Sequence, residues 1–284
     1  MPDKDSNKDL EYCTRWLAEE RVGARDAEGL LAQATSDDEL FSLYRALANT
    51  REPDPVPDEW LAAQDRMLRA RIASAGVTDA RDLPRTAADQ RISLWRGDIT
   101  RLRVDAIVNA ANSQMLGCWV PGHHCIDNAI HTFAGVQLRA KCARIMAAQG
   151  HEEPTAQAKI TPAYNLPARY VIHTVGPIAQ GRPTARHRME LARCYRACLE
   201  AAVGAGCTSI AFCCISTGVF GFPQEEAAQI AVRTVSEWLD EHVATGVAIP
   251  TVAAVTPAAG AGPTHVVFNV FTPRDEAIYR DLLG

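Results

Sequence analysis

From Arg91 onward, short β-branched or apolar runs alternate with longer helical stretches, and this alternation restricts the fold more than any other feature. The runs are Ile92–Trp95, Ala106–Asn109, Tyr170–Thr174, Ser209–Ile215 and Val266–Phe271; the helical stretches lie near Asp127–Gln149, Arg188–Ala205, Gln224–His242 and Arg274–Leu283. Strands linked through helices pair in parallel, and a parallel sheet is covered on both faces. The sequence therefore predicts an α/β fold whose ligands sit at loops following strand ends.

Residues 1 to about 88 read differently, as helical and without strands. Leu40, Leu43, Tyr44 and Leu47 recur at helical spacing, and Ser36 with Glu39 predicts a capping box at the start of that helix. The run Pro53-Asp-Pro55-Val-Pro57 stops it. Trp60, Leu61, Gln64, Met67, Leu68 and Ile72 begin a second face, which Gly76 ends. So short a segment buries little surface alone and is expected to pack on the later part of the chain. The division predicted is a helical extension over 1–88 and an α/β domain over 89–284. Residues 244–263 are read as a surface loop, with Val252–Val255 as a short extra strand within it.

Composition excludes several classes. With 47% hydrophobic and 22% charged residues, a packed core is expected, and the formal net charge of −5 gives no general attraction to polyphosphate. Nucleic acid is disfavoured, and a nucleotide ligand needs local N–H donors and helix dipoles. No run reaches the roughly 18 apolar residues of a membrane span. Nine cysteines behind a polar start point to free or metal-bound thiols in a reducing, cytoplasmic setting. A soluble monomer is expected.

Four loops carry candidate chemistry. Gly97-Asp98-Ile99-Thr100 offers a carboxylate for the exocyclic amine of a base, or is a plain Gly-Asp turn. Asn109-Ala-Ala-Asn112 lets backbone approach a ligand closely, with Asn112 as donor and acceptor for sugar hydroxyls or as a satisfied turn residue. Ser216-Thr-Gly218-Val-Phe220-Gly-Phe-Pro223 leads into a helix and suits a diphosphate; a Gly-rich turn binding nothing is the plain alternative. No lysine follows its glycines, which excludes a GxxxxGK[ST] phosphate loop.

The last loop, Cys118-Trp-Val-Pro-Gly-His123-His-Cys125, has the spacing C-x4-H-x-C. Two thiolates and one imidazole suit zinc, with a fourth position left for water or substrate. His124 competes with His123, although adjacent side chains rarely reach one ion. Cys142, Cys194, Cys198, Cys207, Cys213 and Cys214 read as small buried hydrophobes, and His131 as a packed or capping histidine.

In this order the motifs resemble the macrodomain family of ADP-ribose-binding proteins. The residues that carry the likeness are Gly97-Asp98-Ile99-Thr100, Val108-Asn-Ala-Ala-Asn112, Val171-Ile-His-Thr-Val-Gly-Pro177, Ser216-Thr-Gly-Val-Phe-Gly221 and the strand ending in Phe271. Gly117-Cys118 through Asp127 and His131 resembles the zinc-containing, sirtuin-linked branch, as does the helical segment running to Pro53. Residues 244–263 are longer than that pattern expects. The resemblance implies a three-layer α/β/α fold with a mostly parallel mixed central sheet, plus the N-terminal helical extension.

The resemblance also implies roles. Asp98 and Ile99 would read adenine, with Phe271 stacking on it. Amides of Ser216, Thr217, Gly218, Val219 and Phe220 would hold the diphosphate. Asn112 and Asp127 would face the distal ribose, as the catalytic pair. Cys118, His123 and Cys125 would hold Zn2+. The implied activity is hydrolysis of mono-ADP-ribose from modified proteins, chiefly from Asp and Glu. In that chemistry Asp127, ionised near a helix start, would orient a water or act as general base. A non-catalytic ADP-ribose reader, an O-acetyl-ADP-ribose deacetylase and an ADP-ribose sensor with structural zinc remain the rivals.

Overall fold

A computed structural model of the chain describes residues 4–243 and 262–284. The expected loop 244–263 and its strand Val252–Val255 fall wholly or largely outside the described residues. Contacts divide the chain into two compact units. One holds the described residues up to Val77 with Met115–His151 and Ala163–Pro167; the other holds Thr78–Gln114, Glu152–Pro162 and the described part of Ala168–Gly284.

The first unit is helical: α1 (Lys4–Val22), α2 (Ala24–Leu31), α3 (Asp37–Asn49), α4 (Asp58–Ser74), α5 (Ile126–Ala134) and α6 (Val136–Gln149). Its core gathers Leu10, Cys13 and Leu17 of α1, Phe41 and Tyr44 of α3, and Trp60, Met67 and Leu68 of α4, with Phe133 and Val136 packed against them. The N-terminal helices thus share one apolar core with α5 and α6, as the expected packing on later residues required. Gln64 of α4 is the polar link in that core. Its Oε1 accepts from the Tyr44 hydroxyl at 3.0 Å and from the Val136 amide at 3.0 Å, while its Nε2 donates to Gln137 at 2.8 Å.

Helix α3 starts where the capping signal placed it, but the cap differs in detail. The Ser36 side chain accepts from the Glu39 amide, whereas the Glu39 carboxylate reaches back chiefly to Thr35, whose amide donates to it at 2.7 Å. The single helix expected over Asp127–Gln149 is two. Gly135, at φ 97°, ends α5 and precedes α6, and a Cβ there would lie 2.5 Å from Gln137 Oε1.

The second unit carries a six-stranded sheet among the described residues. Its strands are β2 (Ile92–Arg96), β4 (Ala106–Ala111), β5 (Ala158–Pro162), β6 (Tyr170–Val175), β7 (Ser209–Phe212) and β8 (His265–Val270), in the order β2-β8-β7-β4-β6-β5. Every pair is parallel except β5 with β6. All six residues of β8 are buried, as expected of a strand inside a parallel sheet. Two further strands, β1 (Thr78–Asp79) and β3 (Leu102–Arg103), pair in parallel, so the segment up to residue 88 does contain a strand. Edge strand β5 carries Lys159 and Pro162 and shows no apolar run, so no periodic signal marks it in the sequence. Strand β7 stops three residues short of the expected Ile215.

Helices α7 (Ala185–Gly204), α8 (Gln224–Val243) and α9 (Pro273–Leu283) belong to this unit. A row of rings joins helices to strands: Tyr195 of α7 lies 4.9 Å from Phe212, Phe212 6.4 Å from Phe268, and Phe268 5.1 Å from Tyr279 of α9. A second buried row is polar. His173 of β6 stands between Asn109 Nδ2 of β4 at 3.2 Å and Thr161 Oγ1 of β5 at 2.9 Å.

Burial lowers His173 from the ordinary 6.5 to about 4, so it folds neutral. Below about pH 6.5 the unfolded chain takes a proton that the native ring refuses. Stability is therefore expected to fall as pH drops from about 6.5 towards 4, by up to roughly 3 kcal/mol from this residue. His173→Gln should be less stable at neutral pH yet lose less between pH 7 and pH 4.5, as read by urea denaturation. Equal losses in the two proteins would remove His173 as the source.

Candidate functional site

Parallel pairing decides where the second unit's candidate residues stand. Strands β2, β8, β7 and β4 are consecutive in the sheet and run the same way. Their following residues, Gly97–Thr100, Phe271, 213–223 and Asn112, therefore leave from one edge. Gly97 donates to the Val270 carbonyl at 3.1 Å, and the Gly97 carbonyl accepts from Asn269 Nδ2 at 2.9 Å. A Cβ on Gly97 would come within 2.3 Å of the Trp95 ring, so only glycine fits. Asp98 caps the short 3-10 turn Ile99–Arg101: its Oδ1 accepts from the Thr100 amide at 2.9 Å and hydroxyl at 2.7 Å. Ile99 is buried, and Phe271 is 77% exposed. Asn112 Oδ1 accepts from the Gln114 amide at 3.0 Å, which is the turn contact the plain reading expected.

The loop before α8 is unusual in its backbone. Ser216 sits at φ 66°, and its buried Oγ finds no partner among the described residues. A Cβ on Gly176 would lie 2.0 Å from that oxygen, so the close approach needs glycine there. The loop is closed by Phe222 N to Ser216 O and Gly221 N to Gly218 O, both 2.9 Å. Among the described residues the amides of Gly218, Val219 and Phe220 have no backbone acceptor. Consecutive N–H groups ahead of a helix favour an anion.

The first unit holds the cysteine–histidine loop. Ligand atoms of Cys118, His123 and Cys125 all lie within 4.8 Å of one another and could hold a metal ion. Cys118 Sγ is 3.3 Å from His123 Nδ1. A tetrahedral zinc with usual bond lengths separates sulfur and nitrogen by about 3.6 Å, so the donor set fits. His124, the competing ligand, is exposed and outside this group. The turn is made by His123 N donating to Val120 O at 3.2 Å, with Gly122 at φ 65°.

Cys125 is the N-cap of α5, where its sulfur accepts from the Asn128 amide at 3.4 Å. Burial pushes its thiol up to about 11; the Asn128 amide opposes this, and Cys118 and Asp127 add to it. A dication is what such a thiol needs to ionise at neutral pH. Cys142 is buried with its sulfur within 4.8 Å of a His131 ring nitrogen, and burial, with Asp127 adding to it, raises the thiol to about 12. Asp127 lies in the first turn of α5, buried, with Oδ1 3.6 Å from His131 Nε2. His131 is packed, as expected, and its ring sets Gly117: a Cβ there would lie 2.8 Å from His131 Cγ.

Sequence reasoning missed the groups beneath this loop. The Arg139 guanidinium lies over the Trp119 ring at 4.0 Å and donates to the carbonyls of Arg51 at 2.7 Å and Asn49 at 2.6 Å. Burial lowers Arg139 to about 10, with Asp127 opposing, so it stays a cation at neutral pH. Arg45 and Asn49 of α3 bond to Asn128 and its neighbours. No local motif marks these residues, since the contacts span 78 to 90 positions.

The chain is similar to several known proteins. A family model described as Macro domain matches residues 108–231. A protein-ADP-ribose hydrolase of Treponema medium is 51% identical over 87% of this chain and 89% of its own length. One from Staphylococcus aureus (strain MRSA252) is 46% identical over 98% of this chain and 96% of its own. The crystal structure of a Trypanosoma brucei macrodomain in complex with ADP-ribose superposes with a TM-score of 0.60 at 30% identity, covering 84% of this chain and 95% of that one. The fold class is the three-layer α/β/α type with a mixed, mostly parallel sheet and additional helices. With such identity over nearly its whole length, this chain belongs to the macrodomain family.

Proposed function

We propose that this protein is a zinc-dependent protein-ADP-ribose hydrolase that removes mono-ADP-ribose from Asp and Glu side chains of modified proteins. The observation that carries the reading is the gathered Cys118–His123–Cys125 donor set beside the acid Asp127 at the start of α5. A protein that only reads ADP-ribose has no use for three metal donors with a vacant fourth position. Relatives at 46–51% identity are named protein-ADP-ribose hydrolase.

Each residue takes a role. Asp98 and Ile99 bind adenine, and the exposed face of Phe271 stacks on it. Ser216, Thr217, Gly218, Val219 and Phe220 present amides to the diphosphate. Asn112 hydrogen-bonds a distal-ribose hydroxyl. Cys118, His123 and Cys125 would hold zinc, which would supply a Lewis acid for a ribose hydroxyl or water. Asp127 orients the attacking water and takes its proton while the bond between ADP-ribose and the carboxylate breaks. Residues 89–284 are the macrodomain in this reading and 1–88 its extension. Among the described residues no helix is long and apolar enough to cross a membrane. The proposed setting is the cytoplasm, and the proposed state a monomer without nucleic-acid partners.

The test uses a protein auto-ADP-ribosylated on acidic residues. The wild type should release the label, while Cys118→Ala and the chelated wild type should release it at least about 100-fold more slowly, with metal content read alongside. Tight ADP-ribose binding with no release by any form would instead make the protein a reader.

Asp127→Asn should keep its metal and lose about 100- to 10,000-fold in turnover, measured as single-turnover label release. Turnover near that of the wild type would take Asp127 out of the mechanism.

A further inference from the structure

The metal loop has few apolar side chains of its own to hold its shape, and α3 supplies what it lacks. Arg45 Nε donates to Asn128 Oδ1 at 2.7 Å, and Arg45 Nη2 donates to the His123 carbonyl at 3.0 Å. Asn128 passes the constraint on. Its Nδ2 donates to the Val120 carbonyl at 3.3 Å, and its amide donates to Cys125 Sγ at 3.4 Å. Asn49, one turn along α3, completes the network through Asn128 Oδ1 at 3.3 Å and Thr132 Oγ1 at 2.6 Å. One half-buried guanidinium therefore touches the backbone of one donor residue and the residue whose amide donates to the sulfur of the other.

We propose that Arg45 is a positioning residue for the metal site: from α3 it fixes the His123 backbone and, through Asn128, the Cys125 sulfur in ligating geometry. The proposal rests on the reading of Cys118, His123 and Cys125 as metal ligands. It assigns the N-terminal helices a task in the site beyond their share of the core. A guanidinium is a rigid planar fork, able to serve two acceptors at a set angle, whereas a lysine ammonium on a flexible stem cannot hold both. Groups that orient ligands in this way are typically worth 10- to 100-fold in metal affinity.

Cobalt(II) is the probe, titrated into the metal-free full-length chain. Its visible bands report coordination geometry, and competition with a chelator reports affinity. Wild type, Arg45→Ala, Arg45→Lys and Arg66→Ala are compared. The last breaks an ion pair of the same unit, Arg66 with Asp9 at 2.7 Å, and controls for general weakening. Both Arg45 variants should bind cobalt about 10- to 100-fold more weakly with shifted bands, and Arg66→Ala should bind as the wild type does. Should Arg45→Ala fail to fold, Arg45→Lys decides alone. Wild-type affinity and bands in a folded Arg45 variant, even one with a lowered melting temperature, would overturn the proposal and leave the metal reading standing. A wild type that binds no cobalt would overturn the metal reading, and the role of Arg45 with it.

Discussion

Parallel pairing of β2, β8, β7 and β4 is the constraint from which the second unit's chemistry derives. Strands that run the same way must end at the same edge, so loops distant in sequence leave the sheet together. The pairing also demands burial on both faces, which the fully buried β8 and the ring row from Tyr195 to Tyr279 meet. Glycines at 97 and 176 then let the loops approach side chains that a Cβ would strike. The sheet is largely apolar and the loops at its edge carry the candidate polar groups, the usual division between scaffold and site.

The helical unit solves a different problem. Its cysteine–histidine loop is glycine-turned and exposed at Pro121 and Gly122, so apolar burial does little to fix its shape. Hydrogen bonds from Arg45 and Asn128, the latter held by Asn49, do so instead. Such buried polar groups cost stability unless each is satisfied, and Asn128 meets this through Arg45, Asn49, Val120 and Cys125. Directional bonds hold a geometry where packing alone would tolerate several.

Much of this was legible in the sequence, and the rest was not for physical reasons. Strand existence followed from apolar runs, because central parallel strands must be apolar throughout. The start of α3 followed from Ser36, since capping is a local signal. The Cys118–His123–Cys125 group followed from donor chemistry at short spacing, and the structure gathers those three side chains. Strand β5 had no such signal, because its pairing with β6 is made by backbone and its side chains are half exposed. The break at Gly135 was overlooked because glycine within an apolar helical pattern is tolerated, and only its φ of 97° shows that it is not helical here. Arg45 and Arg139 were invisible as site residues: an arginine on a helix is ordinarily a solvated surface charge, and their side-chain hydrogen-bond partners lie 78 or more positions away.

The electrostatics of the loop bind these observations together. Cys125 and Asp127 both stand at the N-terminal end of α5, where unpaired amides favour negative charge. Burial opposes that charge and keeps the Cys125 thiol protonated near neutral pH. Arg139 offsets part of the cost: it is buried, still cationic, and close enough to Asp127 and Cys118 for their fields to act on it. A helix end and one buried guanidinium both place positive potential near Asp127. The first unit thus gathers, around one helix start, a buried carboxyl group, a buried guanidinium and two sulfurs within 4.8 Å of each other.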